Sequence, residues 1–328
     1  MADAEVGDDV LDGDPTVRRL EAIVAERLGH EAALFVPTGS MGNQVAIALH
    51  ARAGSELLVD ADAHIVHWEE CATAALSGVQ VRPVRGERSV MTADDLAAAL
   101  RAPSRYAPRA NLVALENTHN GAGGVVTTHD AMQALVRTAR DAHLQVHLDG
   151  ARLWNAHVAS GTTLDAFARL ADTVMVSFSK GLGAPVGAAV VGTRAAMDEA
   201  WHVRRRFGGG MRQSGILAAA ALHGLTHHLE RLAHDHAHAA SLARAIDGAG
   251  GARVVPPDTN IVMVDLPGRV ADAVVAAAAR EGVRVSAWSP TRVRAVTHLD
   301  VSAHQIARAG HVLATALESA ATTLATRP

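Results

Sequence analysis

The stretch Thr173-Val174-Met175-Val176-Ser177-Phe178-Ser179-Lys180-Gly181-Leu182-Gly183-Ala184-Pro185 decides how the chain is read. A β-branched apolar run followed by glycines and proline is a buried strand running out into a turn. Lys180 stands on that turn and is the only lysine in 328 residues, so the other cations among the 30 Lys plus Arg are arginine. Guanidinium stays protonated, whereas an amine can be tuned into a nucleophile. A lone lysine at a strand end is therefore expected to serve where arginine cannot, as an amine that forms a Schiff base with a carbonyl.

Outward from this turn, strand and helix signals alternate. Apolar, β-branched runs place strands at 33–36, 56–60, 79–84, 111–116, 145–149 and 172–178. Between and before them, helical periodicity covers 16–28, a segment from near Met41, 93–101 and 129–142. Such alternation predicts an α/β fold with a mostly parallel central sheet flanked by helices. In that architecture functional residues collect outside the carboxyl ends of the strands, where Glu116, His119, Asp149, Arg152 and Lys180 all fall. The periodicity breaks at Gly208-Gly209-Gly210. After a helix at 213–232 come strand signals at 261–266 and 283–285 and a tightly packed Ala-rich helix at 274–279. This predicts a large domain over 1–230 and a small C-terminal α+β domain over 231–328.

Hydrophobic residues make up 49% of the chain and charged residues 20%, with a net charge of −4. A folded core with no general affinity for nucleic acid follows. No apolar run approaches the roughly 18 residues that span a bilayer, and no targeting signal is read, so neither a membrane partner nor export is expected. The single cysteine, Cys71, excludes an internal disulfide and a thiolate metal cluster. A cytoplasmic enzyme with a buried cysteine is the expectation. With aromatics at 3%, the core must be Ala, Val and Leu. His223, His227, His228, His234, His236 and His238 read as the wet face of a helix rather than a metal centre, and Arg204-Arg205-Arg206 as a solvated basic patch.

The strand-end residues assemble into one chemistry. A lysine that forms a Schiff base is the attachment point of pyridoxal phosphate, which draws electrons only while its ring nitrogen is protonated. Asp149, at the end of the strand before Lys180, is the carboxylate suited to hold that proton; the lesser reading is a cap on the next helix. Pro37-Thr38-Gly39-Ser40, between a strand and a helix, reads as a phosphate cup in which Gly39 and Ser40 let the backbone approach a dianion, although such a turn can also be a simple cap. His64 follows another strand end and could lie over the cofactor face, with Trp68 lining the cavity; either could instead be core.

Eight strings carry a family resemblance: Gly7-Asp8-Asp9-Val10, Asp14-Pro15-Thr16, 34–43, Glu116-Asn117-Thr118-His119-Asn120, 147–155, 179–187, 208–213 and Val296-Thr297-His298-Leu299-Asp300-Val301. Together they resemble the low-specificity L-threonine aldolases of the β-eliminating lyase superfamily, fold type I pyridoxal phosphate enzymes. The resemblance covers nearly the whole chain and is specific because the strings coincide in order and spacing. It implies cleavage of L-threonine, L-allo-threonine and other β-hydroxy-α-amino acids to glycine and an aldehyde, reversibly. Lys180 would hold the cofactor, Asp149 its ring nitrogen and Arg152 its phenolic oxygen. His64 would stack on the ring, and Gly39 and Ser40 would cradle the phosphate. Arg212 would reach a phosphate in a neighbouring subunit, Arg294 would clamp the substrate carboxylate, and His119 would lie near the substrate hydroxyl. Trp68 and Arg152 join the substrate pocket on the same ground. The hydroxyl proton would pass to His64, His119 or a bound water. Shared sites imply a homo-oligomer, a dimer of dimers, that is a homotetramer.

Two departures modify these expectations. Members of the family usually carry about twenty more N-terminal residues, including a serine toward the substrate carboxylate, whereas six residues precede Gly7 here. Leu11-Asp12-Gly13 also replaces an aromatic segment near the entrance. Either the given start lies downstream of the real one, or binding of the substrate carboxylate is weaker. The alternatives are another fold type I enzyme, a transaminase or racemase, and a cofactor-binding protein impaired in catalysis.

Overall fold

The computed structural model describes residues 1–86, 90–102 and 104–325, which divide into two compact units. The first holds residues 1–122 and 126–229, and the second holds 123–125 with the described residues from 230 onward. In the first unit, helix α1 (Pro15–Leu28) begins where the Asp14 carboxylate accepts the Thr16 and Val17 backbone N–H groups. It ends at Gly29, whose φ of 65° lets the chain turn back at no steric cost. Then follow β1 (Ala32–Val36), α2 (Gly39–His50), β2 (Glu56–Asp60), the short α3 (His64–His67) and α4 (Ala72–Ser77), and β3 (Gln80–Val84). Next are α5 (Ala93–Ala99), β4 (Ala110–Glu116), α6 (His129–Asp141), β5 (Gln145–Gly150), α7 (Leu153–Ser160) and α8 (Leu164–Ala168). The unit closes with β6 (Thr173–Ser177), β7 (Ala188–Gly192), α9 (Arg194–Arg206) and α10 (Gly215–His227).

Its seven strands form one sheet in the order β1-β7-β6-β5-β4-β2-β3. The neighbours from β6 through β3 are parallel, and β7 runs antiparallel to both β6 and β1. The register sets Glu116 of β4, Asp149 of β5 and Met175 of β6 in one row at the carboxyl ends. Helix α2 packs on β5 and β6. Its approach is close at Gly42, where a Cβ would stand 2.6 Å from Met175 Cγ. Asn43 and His50, seven residues apart, share the helix face turned to the sheet.

In the second unit, α11 (Leu232–Ile246), β8 (Arg253–Val255), β9 (Ile261–Asp265), α12 (Ala271–Arg280), β10 (Ser286–Ser289), β11 (Arg292–Val296) and α13 (Ala303–Ala325) follow in order. Its antiparallel sheet, β10-β11-β9-β8, buries Val262, Val264 and Val293 against Leu242, Ile246, Leu313 and Leu317 of the helices. The mostly parallel central sheet and the smaller α+β layer are those expected from the sequence. As expected from the composition, buried positions are dominated by Ala, Val and Leu, with Phe35, Trp154, Phe167 and Phe178 as the large fillers.

Local expectations differ at several points. Helix α2 starts at Gly39, two residues before Met41, because Thr38 caps it by accepting the Met41 N–H. The strand expected at 283–285 lies at Ser286–Ser289. The helix expected over 213–232 ends at His227, and α11 begins at Leu232, so the histidine run is split between two helices. His223, His227 and His234 are exposed, while His228, His236 and His238 are half-buried. Arg204 is not solvated: it is buried, donates to the Phe35 carbonyl at 2.7 Å and pairs with Asp9 at 2.9 Å. Arg205 and Arg206 are exposed as expected. Cys71 is exposed, in the turn before α4.

Candidate active site

The row of carboxyl ends carries two acids, Glu116 and Asp149, and Glu69 joins them from the segment between α3 and α4. Asp149 is buried; its Oδ1 accepts the Ala151 N–H at 3.0 Å and its Oδ2 an Asn43 amide hydrogen at 2.7 Å. The same Asn43 nitrogen donates to Glu69 Oε1 at 2.8 Å, and His64 Nδ1 lies 2.9 Å from that oxygen. One ring nitrogen of His64 and one carboxylate oxygen each of Glu69 and Asp149 fall within 4.8 Å of one another. Glu116 ties the surrounding loops together. Its two oxygens accept the backbone N–H of His64 and that of Asn120, each at 2.7 Å, and the Asn120 side-chain Oδ1 accepts Arg152 Nη1 at 3.1 Å.

Crowded charge shifts these groups. Burial, with Glu116 and Glu69 nearby, pushes the Asp149 carboxyl up to about 7. Burial opposes a charge on His64, yet its bond to Glu69 and the charges of Asp149, Glu69 and Glu116 outweigh that and raise its pKa. His119 is buried with Nε2 3.1 Å from Asp60 Oδ1, and its Nδ1 accepts the Ala122 N–H at 3.1 Å. Burial works against its protonation as well, but Asp60, Glu116 and Asp62 prevail and raise its pKa.

Lys180 is exposed, three residues beyond β6, on a turn closed by Gly183 N–H to the Lys180 carbonyl at 2.9 Å. Met175, on the same strand, neighbours Asp149 in register, and a Cβ at Gly39 would stand 3.3 Å from Met175 Cε. The strand end leading to Lys180, the carboxylate Asp149 and the first turn of α2 therefore meet around one residue. Trp68 is 42% exposed, its ring centroid 5.8 Å from that of His64.

The family profile described as beta-eliminating lyase matches residues 1–268. Low-specificity L-threonine aldolase 1 of Arabidopsis thaliana is 40% identical over 272 residues, covering 81% of this chain and 76% of that protein. The low specificity L-threonine aldolase of Escherichia coli O157:H7 is 39% identical over 308 residues, covering 94% and 91%. The chain belongs to the beta-eliminating lyase family. The structure of Leishmania major threonine aldolase superposes on this lyase with a TM-score of 0.78 at 21% identity, covering 92% of this chain and 89% of that one, which shows the shared fold.

The family is pyridoxal phosphate-dependent, and the residues of this lyase fit that group. A protonated ring nitrogen facing Asp149 would supply the positive charge that a buried carboxylate beside Glu69 and Glu116 requires. The first turn of α2, twelve residues long, presents Gly39 and Ser40 where a phosphate would meet backbone amides and the positive end of the helix dipole. Arg212 precedes α10, 59% exposed, with Nη2 2.7 Å from Asp8 Oδ2. Arg294 is in the second unit, on β11, its guanidinium 5.3 Å from the Trp288 ring centre.

Sequence reasoning missed Asn43, Glu69, His147 and Asp60. Three of them carried a signal. His147 stands two residues before Asp149 and so on the same strand face, and Asn43 is one helical turn beyond Gly39. Asp60 closes the strand expected at 56–60, whereas Glu69 becomes legible only once its loop packs against α2.

Proposed function

We propose that the chain is a pyridoxal phosphate-dependent aldolase that cleaves L-threonine and L-allo-threonine, and related β-hydroxy-α-amino acids, to glycine and an aldehyde, in both directions. The observation that carries this reading is the buried Asp149 carboxylate in register with the strand that leads to the chain's only lysine. Bound pyridoxal phosphate supplies an electron sink for the pair released when the bond between Cα and Cβ breaks. The protein's own residues do the rest.

Lys180 is assigned the covalent attachment, Asp149 the proton on the ring nitrogen, Arg152 the phenolic oxygen, and Gly39 and Ser40 the phosphate. His64 is assigned the ring face. Its Nδ1 is held by Glu69, which leaves Nε2 as the nitrogen able to take the hydroxyl proton, directly or through a water. His119 Nδ1 accepts a backbone N–H and its Nε2 lies 3.1 Å from Asp60 Oδ1, and we assign His119 to positioning the hydroxyl rather than to proton removal. Threonine then loses its hydroxyl proton to the base, acetaldehyde departs, and Cα gains a proton to give glycine. Trp68 lines the substrate entrance on this reading. Arg294 is assigned the substrate carboxylate, and Arg212 a phosphate in a neighbouring subunit, on family resemblance alone. That last assignment makes the protein a homo-oligomer, in our reading a homotetramer, and we place it in the cytoplasm. No helix among the described residues is long and apolar enough to cross a membrane.

The aldolase names of relatives that match most of this chain favour cleavage over transamination or racemisation. Incubating the cofactor-loaded protein with L-threonine, L-allo-threonine and L-phenylserine should release aldehyde and glycine in equal amounts. Exchange at Cα without aldehyde would instead identify a racemase or transaminase.

A further inference from the structure

A chain of buried hydrogen bonds runs from the end of α2 to the acids of the site, and its donor directions are fixed by elimination. Asn43 Nδ2 lies 2.8 Å from Glu69 Oε1 and 2.7 Å from Asp149 Oδ2. An amide nitrogen only donates, so it spends one hydrogen on each. Its Oδ1, 3.1 Å from His147 Nε2, must then accept, so that nitrogen carries the hydrogen. Burial, together with His50, pushes His147 down to about 3, so its ring is neutral and Nδ1 bare. The Thr173 hydroxyl, 3.0 Å away, therefore donates to Nδ1. Its own lone pair faces His50 Nε2 at 3.1 Å. Asn43, His147, Thr173, Glu69 and Asp149 are all buried, and His50 is half-buried. An amide does not pass protons along, so the chain polarises rather than conducts.

We propose that Asn43, oriented by His147 and Thr173, is a positioning residue that gives Glu69 and Asp149 one hydrogen each, weakens their hold on a shared proton and thereby sets the protonation of His64 and of the cofactor's ring nitrogen. The clause on His64 stands on this geometry alone; the clause on the ring nitrogen rests on the aldolase reading above. Two adjacent carboxylates deprived of their shared donor hold a proton more tightly. The groups facing His64 are Glu69, Asp149 and Glu116, so losing one of those charges lowers its pKa.

The test is a proton–carbon NMR titration of His64 in the full chain without cofactor, with the signal assigned by His64→Gln. Asn43→Ala should lower the His64 pKa by about one unit, the size of losing one nearby charge partner. Thr173→Val, which touches neither acid, should move it the same way by less, and Thr173→Ser should restore the original titration. An unchanged His64 titration in a folded Asn43→Ala protein overturns the proposal. Should that variant not fold, an unchanged titration in Thr173→Val overturns it equally. With cofactor loaded, the pH midpoint of the bound chromophore should shift in Asn43→Ala. If the chromophore never forms on Lys180 while His64 still responds, the aldolase reading fails and the Asn43 assignment survives.

Discussion

Removal of the Asp14 carboxylate should destabilise the first unit well beyond an ordinary cap loss. Asp14 is fully buried, and its two oxygens accept four backbone N–H groups. Oδ1 takes Thr16 at 2.9 Å and Val17 at 3.1 Å, and Oδ2 takes Gly7 at 3.0 Å and Gly215 at 2.9 Å. One side chain thus joins the N-terminal segment, the start of α1 and the start of α10. A lost cap alone costs about 1 kcal/mol. The two distant N–H groups add about 1–3 kcal/mol each when left without a partner, so Asp14→Ala is expected to cost about 4 kcal/mol. For a unit of this size that lowers Tm by about 10 °C, since each kcal/mol is worth about 2–4 °C. Asp14→Asn can keep one oxygen on Thr16 and Val17 but turns an NH2 toward Gly7 and Gly215, and should fall between. Differential scanning calorimetry of the cofactor-free protein measures both. A drop of less than about 2 °C for Asp14→Ala, or an Asp14→Asn protein as stable as the parent, would refute the reasoning.

Three further outcomes follow from the structure. The Asp149 carboxyl sits at about 7 when folded against an ordinary 3.8, so the folded chain binds a proton there that the unfolded chain releases; its stabilising contribution is present below about 4 and lost as pH rises through 7. Without cofactor, wild type should therefore lose stability relative to Asp149→Asn between pH 4 and 7, by at most about 1.4 kcal/mol per pH unit, and denaturant titrations at several pH values would show it; a pH-independent difference would count against a buried Asp149. Arg204→Met leaves Asp9 without its buried cation and should cost about 3 kcal/mol, with part regained in the Asp9→Asn, Arg204→Met double variant, as urea midpoints would report. Gly42→Ala puts a methyl group 2.6 Å from Met175 Cγ and should cost about 1–3 kcal/mol while weakening cofactor affinity through displacement of α2, measured by fluorescence titration.

What could be read ahead of the structure was whatever depends on neighbours in sequence. The strand ends at Glu116, Asp149 and Ser177 announce themselves because apolar β-branched runs stop at polar and glycine-containing segments, so the row of acids and the placement of Lys180 were accessible. Strand β7 was missed because Ala188-Ala189-Val190-Val191-Gly192 is small and follows a glycine-rich turn. Strand β11 was hidden by alternating arginines whose intervening Val293 and Ala295 alone face the core. Arg204 was misjudged from its two arginine neighbours, although Met197, Ala200 and Arg204 share one helical stripe and that periodicity could have placed it inside. Cys71 was judged by residue type, which says nothing about the turn before a six-residue helix. The bridge from Asn43 to Glu69 and Asp149 joins residues 26 and 106 positions apart, and no local pattern carries such a pairing.

The most direct measurement is reduction of the cofactor-loaded protein with borohydride, followed by proteolysis and mass spectrometry of the pyridoxylated peptide. Lys180 is the only lysine in the 328 residues, so no other side chain there offers a primary amine. The account predicts a stoichiometric pyridoxyl group on the peptide bearing Lys180, absent from Lys180→Ala. A protein that binds pyridoxal phosphate and cleaves threonine while Lys180 stays unmodified would contradict it.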